Sequence, residues 1–142
     1  MMDRLSEAII LATNAHDGQH DKAGEPYILH PLRIALTLTD PLARQVALLH
    51  DVVEDSPINL QDLREAGFDE AVVTAVAALT RDDAESYEDY IQRLVPNDLA
   101  RQVKRRDLMD NLARNRDNPK VSPLKIQQYE QALVTLDRYE KA

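Results

Sequence analysis

Cysteine and tryptophan are absent from this chain, phenylalanine occurs once, and glycine only three times in 142 residues. Without cysteine there is no disulfide framework, no thiolate zinc knuckle and no thiol nucleophile, so any metal must be held by His, Asp, Glu or backbone oxygen. The same absence suits a cytoplasmic setting. No apolar run approaches membrane-spanning length, and the opening MMDRLSEAIILATNAHDG is interrupted by Asp3, Arg4 and Glu7, so it reads as neither leader nor anchor. Positive charge is also in deficit: 17 Lys and Arg stand against 25 Asp and Glu, a formal net charge of −8. That balance argues against a polyanionic partner such as nucleic acid or an acidic membrane. A small anionic ligand would need a local cationic device.

Low glycine accompanies an excess of Ala, Leu, Arg, Asp, Glu and Gln, with apolar residues recurring at three- and four-residue steps. The expectation is an all-α, single-domain helical bundle over residues 1–142. Leu5, Ala8, Ile9, Ala12 and His16 form the stripe of a first helix, which Gly18 and the charged stretch to Gly24 interrupt. Pro31 suits the first position of a second helix carrying Leu32, Ala35, Leu36 and Leu38. Leu42, Val46, Leu49, His50 and Val53 make a third, ending at Asp55-Ser56-Pro57. Asn59, Asp69, Ser86 and Asn97 are candidate N-caps for four more, and Ile126, Tyr129, Leu133 and Leu136 mark a last one.

Polar groups on these apolar stripes locate the chemistry. His50 falls on the buried face of the third helix with Asp51 at its edge, and Asp107 and Asn111 continue the Leu99, Val103 stripe of the long helix. A buried carboxylate costs several kcal/mol, on the order of a lost ion pair, unless it finds a partner or a cation. His30, His50, Asp51 and Asp107 converging in a helical core are best explained by one divalent cation, and mixed nitrogen and oxygen ligation suits Mn²⁺, Fe²⁺ or Zn²⁺ better than Ca²⁺. The alternative is a satisfied core His50 and an Asp107 paired to Arg105 or Arg106 on a solvated face. Glu54 and Asp55 weaken that alternative, because four-residue spacing stacks Glu54 over His50 and Asp55 over Asp51 in LLHDVVEDS. His16 and His20, also four apart, are a weaker chelate with Gly18 between them.

The segments GQHDKAGEPYILHPLRIA, ALLHDVVEDS and ARQVKRRDLMDNL, in that order, resemble the hydrolase half of the RelA/SpoT proteins, and in particular the small alarmone hydrolases of the HD-domain superfamily. The resemblance covers the chain to about Asn115. It implies an HD-type fold with His30, His50, Asp51 and Asp107 as metal ligands and Mn²⁺ as the usual ion. It also implies that Glu54 and Asp55 position the attacking water and move protons, while Asn111 and Lys22 contact the nucleotide. The implied reaction is removal of 3′ pyrophosphate from guanosine tetra- or pentaphosphate, giving GDP or GTP. Lys104, and Arg33 as a third candidate beside Lys22, would help to grip the polyphosphate. The partner is then a small nucleotide, with no nucleic acid and no membrane.

Three positions depart from the family pattern. Asp21 stands where many members carry an arginine that stacks on guanine, Arg106-Asp107-Leu108 replaces Ala-Asp-Arg, and Arg114 replaces a threonine three residues after Asn111. No metal ligand is lost, but a planar cation suited to a purine is. An adenosine analogue of the alarmone therefore stays open, as do an HD phosphohydrolase acting on another nucleotide and a non-catalytic nucleotide sensor. A synthetase is not expected, since no length remains for that domain.

Overall fold

The computed structural model describes residues 2–141, and among them the regular structure is helical: α1 (Arg4–Ala15), α2 (Leu29–Leu36), α3 (Pro41–Leu49), α4 (Val52–Asp55), α5 (Leu60–Glu65), α6 (Glu70–Leu79), α7 (Tyr87–Leu94), α8 (Asp98–Asn115) and α9 (Pro123–Lys141). One isolated bridge, between His20 and Pro26, closes the loop joining α1 to α2. No helix of the described residues is long and apolar enough to cross a membrane.

The four expected caps are made. Asn59 forms a reciprocal capping box with Asp62, Asp69 accepts from Ala71 N–H, Ser86 from Asp89 N–H and Asn97 from Ala100 N–H. Each satisfies an N–H that the first helical turn leaves without a partner. Gly18, just past α1, has φ +79, a left-handed conformation that an L side chain rarely adopts, and it releases the chain into the 18–28 loop.

α3 is the central helix, packed against α1, α2, α6 and α8. It is apolar nearly all round, with Ala43, Val46, Ala47, Leu48 and Leu49 buried, as a helix enclosed by others requires. The core continues through Ile34 of α2, Val72, Val73 and Val76 of α6, Val103 and Leu108 of α8, and Leu136 of α9.

Three local expectations are corrected. Pro31 is the third residue of α2 rather than the first, because the helix opens at Leu29 after a turn in which Leu29 and His30 N–H donate to the Pro26 and Tyr27 carbonyls. Proline is tolerated there because an N–H in the first turn has no intrahelical partner. α2 also stops at Leu36, whose side chain is 80% exposed rather than in the core, while Leu38 beyond the helix turns inward. The third correction bears on the site. The expected single helix from Leu42 to Asp55 is two, α3 and α4, separated at His50 and Asp51. Asp51, at φ −91, ψ −9, keeps helical backbone angles, and Asp55 N–H donates to its carbonyl at 3.0 Å, so Glu54 and Asp55 belong to a short second helix that starts after the break.

Candidate metal centre

α2, the α3–α4 break and α8 bring three donors together. His30, His50 and Asp107 each place one ligand atom within 4.8 Å of the others, and all three are buried. His30 Nε2 lies 2.7 Å from Asp107 Oδ1, and His50 Nε2 lies 3.8 Å from the same oxygen. His50 Nδ1 sits 2.7 Å from the Ala47 carbonyl. A carbonyl only accepts, so Nδ1 carries the hydrogen and Nε2 keeps its lone pair. That Nε2 is buried without a hydrogen-bond partner. An orphaned imidazole lone pair aimed at an aspartate is what a cation would satisfy, so the residues present fit a divalent metal.

Asp51, the fourth expected ligand, is adjacent. Its Oδ2 is 3.2 Å from His50 Nε2 and accepts a 2.6 Å hydrogen bond from the Tyr27 hydroxyl. Tyr27 was not singled out by sequence reasoning; it lies 24 residues from Asp51, and only its place in the EPYILHP segment hinted at the site. Burial and the nearby Asp51 carboxylate push its phenol well above the ordinary range.

The charges on Asp107 are unusually well matched. It accepts from Lys104 Nζ at 3.0 Å and from Asn111 Nδ2 at 3.3 Å as well as facing His30. Burial opposes its charged form, yet the Lys104 charge and the hydrogen bond to His30 prevail and hold it well below the ordinary carboxylate range. Its expected alternative partners are elsewhere: Arg105 pairs with Asp137 and Glu140 of α9. His30 is pushed the other way. Burial opposes its positive charge, but hydrogen bonds to Asp107 and Asp110 outweigh it and raise its pKa to about 10.

Beside these donors opens a pocket of about 400 Å³ whose walls include Lys22, Tyr27, His30, Asp51, Asp107 and Asn111. Of the expected nucleotide contacts, Lys22 and Asn111 thus line the pocket. Lys104 does not: it is buried against the Tyr87 and Tyr90 rings, 5.8 and 5.2 Å from their centroids, and spends its charge on Asp107. Arg33 lines the pocket but is committed to Asp110 by two 2.9 Å hydrogen bonds. Asp21 and Arg114, two of the departures from the family pattern, both line the pocket and pair with each other at 3.7 Å.

Glu54 and Asp55 are not among the residues that line that pocket. Glu54 accepts a 2.6 Å hydrogen bond from Arg81 N–H, and burial raises its pKa against that bond; Asp55 is raised by burial and by the Asp51 charge. His16 and His20 do not form a pair. His16 is buried against Tyr27 with Nδ1 2.8 Å from Gln19 Oε1, while His20 is exposed in the bridge with Pro26.

The bifunctional (p)ppGpp synthase/hydrolase SpoT of Escherichia coli (strain K12) is 38% identical over 90 residues, which cover 61% of this chain and 13% of that protein. The guanosine-3′,5′-bis(diphosphate) 3′-pyrophosphohydrolase of Aquifex aeolicus (strain VF5) is 31% identical over 122 residues, 78% of this chain and 17% of that protein. The chain thus spans under a fifth of the length of these curated relatives. A solved structure of a metazoan ortholog of SpoT, described as hydrolysing ppGpp and playing a role in starvation responses, superposes with a TM-score of 0.77 at 22% identity, covering 98% of this chain and 86% of that one. The HD domain profile matches residues 8–118, a span that holds every donor described above, and the chain belongs to the HD domain family.

Proposed function

We propose that residues 1–142 act as one metal-dependent 3′-pyrophosphohydrolase domain, converting guanosine tetra- or pentaphosphate to GDP or GTP and pyrophosphate. The observation that carries this reading is the buried, partnerless Nε2 of His50 facing Asp51 and Asp107 at the edge of a pocket large enough for a nucleotide. His30, His50, Asp51 and Asp107 would hold the ion, with Mn²⁺ the expected species and Fe²⁺ or Zn²⁺ the alternatives. When bound, such an ion supplies an acidified water and a Lewis acid for a phosphoryl oxygen.

The chain's own groups do the rest. Lys22 presents an exposed ammonium at the pocket and Asn111 an amide, both suited to orienting a nucleotide and its phosphates. Lys104 acts at one remove, holding Asp107 ionised and fixed. Glu54 and Asp55, whose carboxyls burial raises above the ordinary range, would take a proton from the attacking water and return it to the leaving ribose oxygen. Asp21 in the pocket wall supports a second reading, in which the adenosine analogue is the substrate, because a carboxylate cannot stack on guanine as an arginine does.

The test is pyrophosphate release by the Mn²⁺-loaded protein from guanosine and adenosine 3′-pyrophosphates, beside nucleoside mono- and triphosphates. Release from a 3′-pyrophosphorylated nucleotide is expected. Turnover of ordinary nucleotides alone would assign another HD phosphohydrolase activity, and tight nucleotide binding without turnover would assign a sensor; either overturns the proposal.

A further inference from the structure

Asp110 belongs to no ligand set proposed above, yet its carboxylate is held from two side chains beside the pocket. Its Oδ2 lies 2.6 Å from His30 Nδ1, and Arg33 closes on both oxygens, Nε 2.9 Å from Oδ1 and Nη2 2.9 Å from Oδ2. His30 and Arg33 are three residues apart on α2, as Asp107 and Asp110 are on α8, so each pair shares a helix face. The facing helices therefore set His30 between two aspartates, one on each ring nitrogen.

An imidazole can offer a metal one nitrogen only if the other holds the hydrogen, and what fixes that choice is the partner of the second nitrogen. At His50 the partner is a main-chain carbonyl, that of Ala47, which no substitution removes. At His30 the partner is a side chain. We propose that Asp110, clamped by Arg33, is a positioning residue that keeps the hydrogen of His30 on Nδ1 and presents Nε2 to the point shared with His50 and Asp107. The inference rests on the metal-centre reading above and adds to it the device that orients one of its ligands. A carboxylate accepts more strongly than a carbonyl, so His30 is made the more basic of the two imidazole ligands.

Because Arg33 and Asp110 also line the pocket, the rival role is direct contact with substrate. The two roles separate in the readout. Calorimetric titration of Mn²⁺ into Asp110→Ala should show affinity about 10- to 100-fold below wild type, with kcat at saturating metal within about threefold. Asp110→Asn, whose amide oxygen still accepts from Nδ1–H, should recover most of that loss, and Arg33→Met should lose about threefold. In zinc-loaded, ¹⁵N-histidine-labelled protein, the His30 Nδ1–H resonance should be sharp in wild type and lost in Asp110→Ala. Unchanged metal affinity in Asp110→Ala, or a rise in KM alone, would overturn the positioning role. Metal binding without turnover of any 3′-pyrophosphorylated nucleotide would defeat the proposed function while leaving this inference standing, and a wild-type chain that binds no metal would defeat both.

Discussion

The two walls that meet at the candidate centre hold their acids in opposite ways. On the α2–α8 wall each carboxylate has a cation: Asp107 faces Lys104 and His30, and Asp110 faces Arg33 and His30. On the α3–α4 wall, Asp51 has a phenol and an imidazole, Glu54 has one backbone N–H, and the Asp55 carboxylate has no hydrogen bond among the described residues. The pKa directions follow. Asp107 is held well down and Asp110 falls to about 2, whereas Glu54 and Asp55 rise. One wall is fixed in its charge and suited to holding a cation in place; on the other, burial disfavours the charged forms of Glu54 and Asp55, the direction a proton-transfer role would need.

The largest effect should come from opening the first wall. Asp107→Ala is expected to abolish metal binding and turnover together. It should also cost about 3–5 kcal/mol of stability, because Lys104 is left as an unpaired buried cation. Adding Lys104→Met should restore much of the stability in denaturant unfolding without restoring metal. Full metal affinity in Asp107→Ala would show that the ligand set is wrong.

A pH series probes the same wall next. In chelator-treated protein the folded pKa of His30, about 10, lies above its ordinary 6.5. Its stabilisation is therefore complete below pH 6.5 and is lost as pH rises through 10. Between pH 7 and 9 unfolding free energy should fall on the order of 1 kcal/mol per pH unit from this group. Metal-loaded protein, in which the ion takes the place of the second His30 proton, the one on Nε2, should lack that decline, and metal binding at neutral pH should release protons. A metal-free chain whose stability is flat or rising over this window would contradict the pairing of His30 with Asp107 and Asp110.

The smallest of these effects belongs to the pocket mouth. Lys22→Ala should raise KM for the nucleotide about tenfold, a typical loss for one charged contact, with metal affinity unchanged. An equal fall in kcat would move Lys22 from binding to the chemistry.

Much of the fold could be read from contiguous residues. The caps at Asn59, Asp69, Ser86 and Asn97 depend on groups two or three positions away, so local spacing suffices to find them. Asp107 was legible as a charge on an apolar stripe. What escaped was of two kinds. The break at His50 and Asp51 leaves both residues in helical backbone conformation, so no proline or glycine announces it. The partners that organise the site join distant segments: Tyr27 to Asp51 across 24 residues, and Arg33 to Asp110 across 77. Periodicity reports which face a residue occupies, not which helix it will meet there. For the same reason Lys104 read as a solvated residue or a phosphate grip, when it turns inward to Asp107.

The claim that the two walls divide holding from chemistry is tested most directly by Glu54→Gln, with Mn²⁺ stoichiometry and affinity measured by calorimetry and pyrophosphate release followed on the same preparation. The account predicts one ion per chain at near wild-type affinity with turnover lower by about 10²–10⁴, the span of general acid–base catalysis. Loss of the ion together with turnover, or turnover close to wild type, would contradict it.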